Sequence, residues 1–376
     1  MPIRLVHPLP LLIVGVTGRA LAASAARAGL LVVVLDYFAD RDTRALALDC
    51  RAVAGRGLRF GRQALFTAAE ELAPPDRCAG LVYGSGFEGR IDWLARLSRG
   101  RRLYGNSPAT VAAVRDPTRF FGLLDRLGIR HPEIRLGPPR SPAGWLVKQP
   151  GGAGGAQVRP ASRKRPPTGA YFQRLEQGRT LSALFLANGI RARLLGINQQ
   201  WTAPARPGLP FLYGGAVGGV VLPGSVEAEI RRGLDALVAE TGLVGLNGLD
   251  FLLRDRTWSV LELNPRPTAT TELYDPDYSR GLLEWHLRAC DGALPARAAP
   301  PRAVRAHAIA HAVAPMDADA IELPAWCRDL PREGVRFAPG DPVCTVHAAA
   351  ADSRRALTLL RTRQALLGRR LRRAAA

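Results

Sequence analysis

The chain has 376 residues, 47% of them hydrophobic, and a formal net charge of +20. That length holds two or three units of about 100–200 residues, each with its own core, and no apolar run reaches the roughly 18 residues of a membrane span. The five cysteines form no CxxC pair, which argues against a zinc framework or a disulfide scaffold; they read as small buried hydrophobes. The positive charge comes from arginines scattered through a chain rich in Ala, Arg, Gly and Pro, with one dense basic stretch at 361–373. That stretch reads as a solvated helix face, so a nucleic-acid partner is not expected. No leader is read at the start, which carries one arginine and no small-residue cleavage site. A cytoplasmic enzyme without membrane contact is the expectation.

Residues 11–16 predict a short apolar strand broken by Gly15 and Gly18, followed by a helix at 19–28 closed by Gly29 and a strand at 30–35 ending at Asp36. This βαβ opening has a plain reading, a glycine turn joining strand to helix. Its sharper reading is a dinucleotide site with Asp36 on a ribose. The spacing is GxxG rather than GxGxxG, and the plain reading is preferred. A strand at 80–83 leads into Gly84, Gly86 and Glu88. Helix signals follow Ser107 and Pro108, 116–129 predicts a helix ending at Gly128, and 132–142 reads as a proline-rich linker. From Trp145 the texture changes to strands and glycine loops. A small β-rich lobe is expected at about 145–180, then strands alternating with one helix at 226–241, short strands through 303–347, and a final helix at 353–372. The expected units are 1–115, 116–300 and 301–376.

Only two of the 52 basic residues are lysines. Lys164 lies in a polar loop. Lys148 lies in an apolar strand-like run, where a cation is costly unless it meets an anion. Four glycines follow within five residues: Gly151, Gly152, Gly154 and Gly155. Such a turn lets backbone N–H groups approach phosphate oxygens, and the lysine can neutralise one of them. A mobile surface hairpin is the plain alternative, and it leaves Lys148 unexplained. Further on, 249–253 and 258–266 predict an antiparallel hairpin. Glu262 and Asn264 are two apart and share a face of their strand, and pairing could bring Asp250 to the same face. Oxygen donors of this kind select Mg²⁺ or Mn²⁺. Between the two motifs, 171–182 reads as strand, glycine turn and strand, a hinge between lobes. His307 and His311 are four apart and would share a face of a strand, with nothing else to mark a metal there.

The order of these segments resembles the ATP-grasp superfamily, which includes biotin carboxylase and D-alanine–D-alanine ligase, and within it the predicted ATP-dependent carboligases. The resemblance implies an α/β (α+β) fold: an N-terminal Rossmann-like domain, an ATP-grasp domain, and a C-terminal carboxylase-like β lobe. It implies that Lys148 and the loop of Gly151, Gly152, Gly154 and Gly155 hold ATP phosphates. It places adenine on the hinge, at Gln173, Arg174 and Leu175, with Thr180 nearby, and assigns two Mg²⁺ to Asp250, Glu262 and Asn264. The spacing Glu-x-Asn-x-Arg at 262–266 is similar to that of biotin carboxylase, and 340–346 resembles its C-terminal lobe. Three positions depart from the pattern. The second ATP lysine of many members falls on Asp116-Pro117, with Arg119 the expected replacement. Thr180 stands where many members carry a ribose-binding Glu. Residues 267–271 replace the Gln and Glu residues that serve bicarbonate in biotin carboxylase, and no biotinyl-lysine motif is present. These departures favour a ligase that activates a carboxylate as an acyl phosphate for attack by an amine. Arg266 and Lys148 are the catalytic residues, and no catalytic Cys or general-base His is required. The rivals are a biotin-carboxylase-like carboxylation, an NAD(P)-dependent oxidoreductase, and a non-catalytic nucleotide-binding protein. A homodimer is compatible with the ligase reading.

Overall fold

A computed structural model describes residues 8–53, 55, 59–203 and 208–375. The first seven residues, on which part of the leader reading rests, lie outside them. The N-terminal unit runs β1 (Leu11–Gly15), α1 (Arg19–Ala28), β2 (Val32–Asp36), α2 (Arg41–Leu46), β3 (Asp49–Ala52), α3 (Arg62–Leu72), β4 (Gly80–Tyr83), α4 (Ile91–Leu97) and β5 (Leu103–Tyr104). These strands make a five-stranded sheet in the order β3-β2-β1-β4-β5, parallel throughout. Every residue of β1, β2 and β4 is buried, as a parallel sheet covered on both faces requires. Gly29 ends α1 in the left-handed conformation, which glycine adopts without Cβ strain.

Two helices, α5 (Pro108–Arg115) and α6 (Pro117–Arg126), lead into a small sheet of β6 (Ile134–Arg135), β7 (Trp145–Lys148), β8 (Val158–Pro160) and β9 (Tyr171–Arg174), ordered β6-β9-β7-β8. The proline-rich segment expected as a plain linker therefore contributes β6, because Ile134 and Arg135 pair with Gln173 and Phe172. The chain continues through β10 (Arg179–Asn188), β11 (Ala192–Thr202), β12 (Tyr213–Val217), α7 (Gly224–Thr241), β13 (Val244–Arg254), β14 (Thr257–Asn264), α8 (Thr271–Tyr274) and α9 (Gly281–Cys290). It closes with β15 (Val304–His311), β16 (Met316–Asp317), β17 (Cys327–Arg328), β18 (Arg336–Phe337), β19 (Pro342–Ala350) and α10 (Ser353–Ala374). Eight of these strands form one sheet, β14-β13-β10-β11-β12-β15-β19-β17. Residues after 301 thus extend the sheet that carries the hairpin. On one of its faces Leu181, Phe185, Ile197, Leu249, Phe251 and Leu263 pack against Ile230, Leu234 and Leu237 of α7. The other face is polar at the end near the small sheet.

Helix α9, whose N-cap is Arg280 with no side-chain cap of its own, ties the sheets together. His286 donates from Nε2 to Tyr104 O (3.0 Å) and accepts at Nδ1 from Leu246 N (2.8 Å), so β5, β13 and α9 meet on one neutral imidazole. Burial pushes its pKa down to about 4. Burial likewise lowers His347 to about 4. In the unfolded chain either group takes a proton near pH 6.5. The unfolded state then binds more protons than the folded one between about pH 6.5 and 4, so stability falls as pH drops through that window. We expect His286 to account for roughly 2 kcal/mol of this loss, read as the difference between the wild type and His286→Gln in urea unfolding at pH 7 and pH 4.5. Equal losses in both proteins would remove the assignment.

Candidate active site

The site begins with the hairpin β13–β14. Asp250 stands directly across from Glu262, and Gly248 across from Asn264. The next pair is Phe251 with Val260, so Leu261 is an extra residue, a β-bulge. Without it Asp250 would face Leu261, because a one-residue slip turns every side chain to the other face. Gln200 Nε2 donates to Asp250 Oδ1 and Asn264 Nδ2 to Asp250 Oδ2, both at 2.9 Å. Burial and the opposed Glu262 push Asp250 up to about 7. Burial works against Glu262 too, but Lys148, Arg115 and Arg266 hold it below the ordinary carboxylate range. Two opposed carboxylates that cannot comfortably ionise together are a fit for a divalent cation. Among the described residues no group of three or more His, Cys, Asp or Glu is arranged to hold a metal by itself. Mg²⁺ commonly takes one or two carboxylates and completes its shell with water and substrate phosphates, so Asp250, Glu262 and Asn264 suit a metal that arrives with a nucleotide.

Lys148 closes the site from the small sheet. It is 5% exposed, with Nζ 3.2 Å from Gln173 Oε1 and 3.5 Å from Glu262 Oε2. Burial opposes its charge, but Tyr171 and Glu262 outweigh that and raise its pKa. Gln173 also donates to Leu261 O at 3.3 Å, so the bulge that aligns the carboxylates is docked on the small sheet. The side chain of Gln173 therefore faces Lys148. Arg174 stacks on Trp145 at 5.5 Å, Leu175 is exposed, and Thr180 is exposed at the start of β10.

The glycine loop lies over this cluster and needs its glycines. A Cβ on Gly151 would meet Gly89 Cα at 2.8 Å, one on Gly152 the side chain of Gln157 at 2.3 Å, and one on Gly155 the carbonyl of Phe211 at 1.8 Å. Gly154 and Gly155 have φ of 63° and 76°, where only glycine sits without strain. Beneath the loop, Gln157 Oε1 is buried with no donor. Arg115, the last residue of α5, donates to Pro150 O (3.1 and 2.6 Å) and Gly152 O (2.8 Å). A narrow cleft with a cavity volume of about 20 Å³ is lined by Arg115, Lys148, Tyr171, Phe120, Glu262 and neighbouring residues.

Arg115 is a residue that the sequence reading missed. Arg119, expected to replace the absent second lysine, is exposed on α6, and its backbone N–H takes the Asp116 cap at 2.9 Å. The signal for Arg115 is its position one residue before the Asp-Pro step. Replacing Arg115 with Ala frees both loop carbonyls, so proteolytic nicking at 150–170 should rise several-fold in the nucleotide-free protein. An unchanged nicking rate would show that the arginine does not restrain the loop.

Arg266 leaves β14 toward the N-terminal unit. Its Nε is 2.6 Å from Glu88 Oε1, with both side chains buried, and its other nitrogens reach Pro267 O (3.2 Å) and Asn264 Oδ1 (3.4 Å). Although burial opposes it, Arg266 and Arg115 hold Glu88 below the usual range. Glu88 is a second residue missed by sequence; its signal is an acid in the glycine-rich loop just past the carboxyl end of β4, beside the point where strand order reverses. Thr268 and Thr270 hydrogen-bond each other at 2.9 Å.

The dinucleotide reading fails at Asp36. Its carboxylate accepts from the backbone of Gly18, Phe38 and Ala39. The crevice above β1 and β2 is filled by the turn after β17: Asp329 bonds Arg19 at 3.0 Å, and Asp42 accepts from the N–H groups of Asp329 and Leu330 at 2.9 Å each. Finally, His307 lies across from His347 on β15 and β19, near Glu272, Tyr213 and Arg19.

Residues 116–270 match the family model of an ATP-grasp domain. No curated protein matches by sequence. Among solved structures, N5-carboxyaminoimidazole ribonucleotide synthetase from Thermotoga maritima is similar at 17% identity and a TM-score of 0.67, over 96% of this chain and 98% of that one. An L-amino acid ligase from Bacillus licheniformis is similar at 14% identity and a TM-score of 0.66, over 95% and 97%. The biotin carboxylase domain dimer of Hydrogenobacter thermophilus 2-oxoglutarate carboxylase, in complex with MgADP, ADP and bicarbonate, is similar at 13% identity and a TM-score of 0.70, over 95% and 90%. The chain therefore carries an ATP-grasp domain match at 116–270 and shares the fold of these structures over nearly its whole length, in the α/β arrangement expected from the sequence.

Proposed function

We propose that the protein is an ATP-dependent ligase that activates an organic carboxylate as an acyl phosphate and passes the acyl group to an amine, with ADP and phosphate as products. The observation that carries this reading is the meeting of Lys148 Nζ with Glu262 at 3.5 Å, Glu262 itself standing opposite Asp250, beneath a glycine loop. A lone buried ammonium and two opposed carboxylates are what a triphosphate and its cation would need on either side.

In this reading the loop N–H groups and Lys148 bind the phosphates, and Asp250, Glu262 and Asn264 would hold Mg²⁺ or Mn²⁺. The metal would supply Lewis-acid neutralisation of charge on the phosphates. A carboxylate oxygen attacks the γ-phosphorus, the bond to ADP breaks, and ADP leaves with its electron pair. Arg266, braced by Glu88, orients the carboxylate. The Gly151–Gly155 loop excludes water from the acyl phosphate. The domain limits at 115 and 300, the base and ribose contacts at 173–180, and a cytoplasmic setting belong to the same reading. No helix among the described residues is long and apolar enough to cross a membrane.

Carboxylation of a substrate from bicarbonate is the rival, favoured by the likeness to a biotin carboxylase domain. One experiment separates them. ADP release is screened across carboxylate–amine pairs, with and without bicarbonate and biotin, and the carboxylate oxygens carry an isotopic label. The ligase reading expects turnover that needs both partners, ignores bicarbonate and biotin, and moves one labelled oxygen into inorganic phosphate. Turnover that depends on bicarbonate would overturn it.

A further inference from the structure

A second polar cluster lies where β12, β15 and β19 meet α8 and the start of α1. Its centre is Glu272. One carboxylate oxygen pairs with Arg19; the other is 3.0 Å from His307 Nδ1 and 3.5 Å from His347 Nε2. His307 Nε2 lies 2.6 Å from the Tyr213 hydroxyl. The His307 side chain is 2% exposed, whereas Tyr213 is half-buried. Although burial opposes it, Arg19 and the two histidines hold Glu272 well below the carboxylate range. His307 Nδ1 makes no hydrogen bond of good geometry, but a lone pair there would face the ionised carboxylate at 3.0 Å, so His307 carries its hydrogen on Nδ1 and its lone pair on Nε2. That tautomer is assigned from the charge facing Nδ1, not from a hydrogen bond. The Tyr213 O–H therefore donates to Nε2, and burial, with Glu272 and Asp250, keeps that phenol protonated at rest.

The sheet aims this tyrosine. Gln200, Ala216, His307 and His347 form one cross-strand row, and Gln200 is the residue bonded to Asp250. At ~4.8 Å per strand, His307 is roughly 10 Å from Gln200. Trp201 opposes Gly215 while Thr202 opposes Tyr213, so Gly214 is a bulge. It turns Tyr213 onto the face of Ala216 and His307. Without it the ring would join Val217 on the opposite, apolar face, which packs on Leu360 and Leu367 of α10. The Tyr213 N–H also donates to Gly154 O at 2.8 Å, so the residue touches the glycine loop. A hydroxyl, an imidazole and an ionised carboxylate in line have no part in phosphoryl transfer, where positioning and charge carry the catalysis. They do suit the step after it, because an amine arrives as an ammonium ion and must lose a proton before it can attack.

We infer that Tyr213, His307 and Glu272 form a proton relay for the amine half-reaction, with Tyr213 the proton acceptor and Glu272 the positioning residue. The inference rests on the ligase reading. As the amine nitrogen approaches the acyl carbon, its proton passes to the Tyr213 oxygen while the tyrosine proton passes to His307 Nε2. The C–N bond forms, the C–O bond to phosphate breaks, and phosphate leaves with its electron pair and takes up the second proton lost by the nitrogen. The imidazolium is balanced by Glu272 until it returns the proton to solvent.

The test offers two rival nucleophiles with the carboxylate that gives ADP release: hydroxylamine, largely unprotonated at neutral pH, and ammonium chloride, which must be deprotonated. In Tyr213→Phe the ratio of hydroxamate to amide should rise on the order of a hundredfold. A purely structural role would lower both products together, and an unchanged ratio overturns the relay. Nitrogen-labelled histidine NMR of the unliganded protein gives a second reading. His307 should be neutral with its hydrogen on Nδ1, and a hydrogen on Nε2 overturns the relay whatever the kinetics. If no carboxylate supports ADP release, the ligase reading fails instead, and the tautomer alone judges the cluster.

Discussion

Lys148→Ala should weaken Mg-ATP binding by about a hundredfold, on the order of 3 kcal/mol, while the melting temperature stays close to that of the wild type. Two effects add. The phosphate loses its cation, and Glu262, which the ammonium faces at 3.5 Å, loses its nearest compensating charge and repels the phosphates from the same cleft. Lys148→Arg should fail as well. The ammonium fits as a compact charge between Gln173 Oε1 and Glu262, with Tyr171 at 5.9 Å. A planar fork on that stem would have to displace Gln173, and with it the contact to Leu261 that docks the bulge. Isothermal titration with Mg-ATP, with a thermal melt of each variant, decides it. A Lys148→Ala protein that binds as the wild type does would show that the phosphates sit elsewhere.

The parts of the fold written in local chemistry were legible. The βαβ opening, the small lobe, the hairpin at 249–266 and the long final helix all announce themselves through periodicity, glycine stops and polar turns. Helix α9 did not, because its first N–H groups, of Leu282 and Leu283, are capped by Asp275 and by Ser24 of α1 and His286 bonds Tyr104, none of which the local sequence shows. The joining of β15 and β19 to the hairpin's sheet was hidden for a similar reason: it depends on β12 pairing with β15 some 90 residues on, and no local pattern records a partner at that distance.

The site divides in the same way. Lys148 was legible because a single lysine in an apolar strand has no cheap explanation, and Glu262 and Asn264 because period-2 alternation fixes their face. That Asp250 opposes Glu262 needed the Leu261 bulge, which nothing in the residue types reveals. Arg115, Glu88 and Tyr213 were illegible because each acts through a neighbour from another unit: a loop carbonyl, an arginine past β14, a histidine on β15. The excess of arginine worked against the reader too, since Arg115 could not stand out among so many.

Glu262→Gln should lower kcat on the order of a thousandfold and leave nucleotide affinity within a few-fold. The amide keeps the size of the side chain and its place on β14 opposite Asp250, but not its charge. In the resting protein the two carboxylates compete: Glu262 stays ionised beside Lys148, and Asp250 is pushed up to about 7. Removing the charge of Glu262 relieves Asp250, whose pKa should return toward the ordinary range, so one anionic ligand for the cation survives and Mg-ATP still binds through Lys148 and the loop. What is lost is the second negative ligand, which matters most when charge moves from the γ-phosphate to the leaving oxygen. Asp250→Asn should produce a similar loss, and the double variant should cost little more than either alone, because in the proposed reading both residues would serve one cation site. The measurements are steady-state ADP release with Mg²⁺, Mn²⁺ and EDTA, and a nucleotide titration of each variant. Turnover that survives EDTA, or a Glu262→Gln enzyme that loses only affinity, would mean that the opposed carboxylates brace the hairpin and hold no metal.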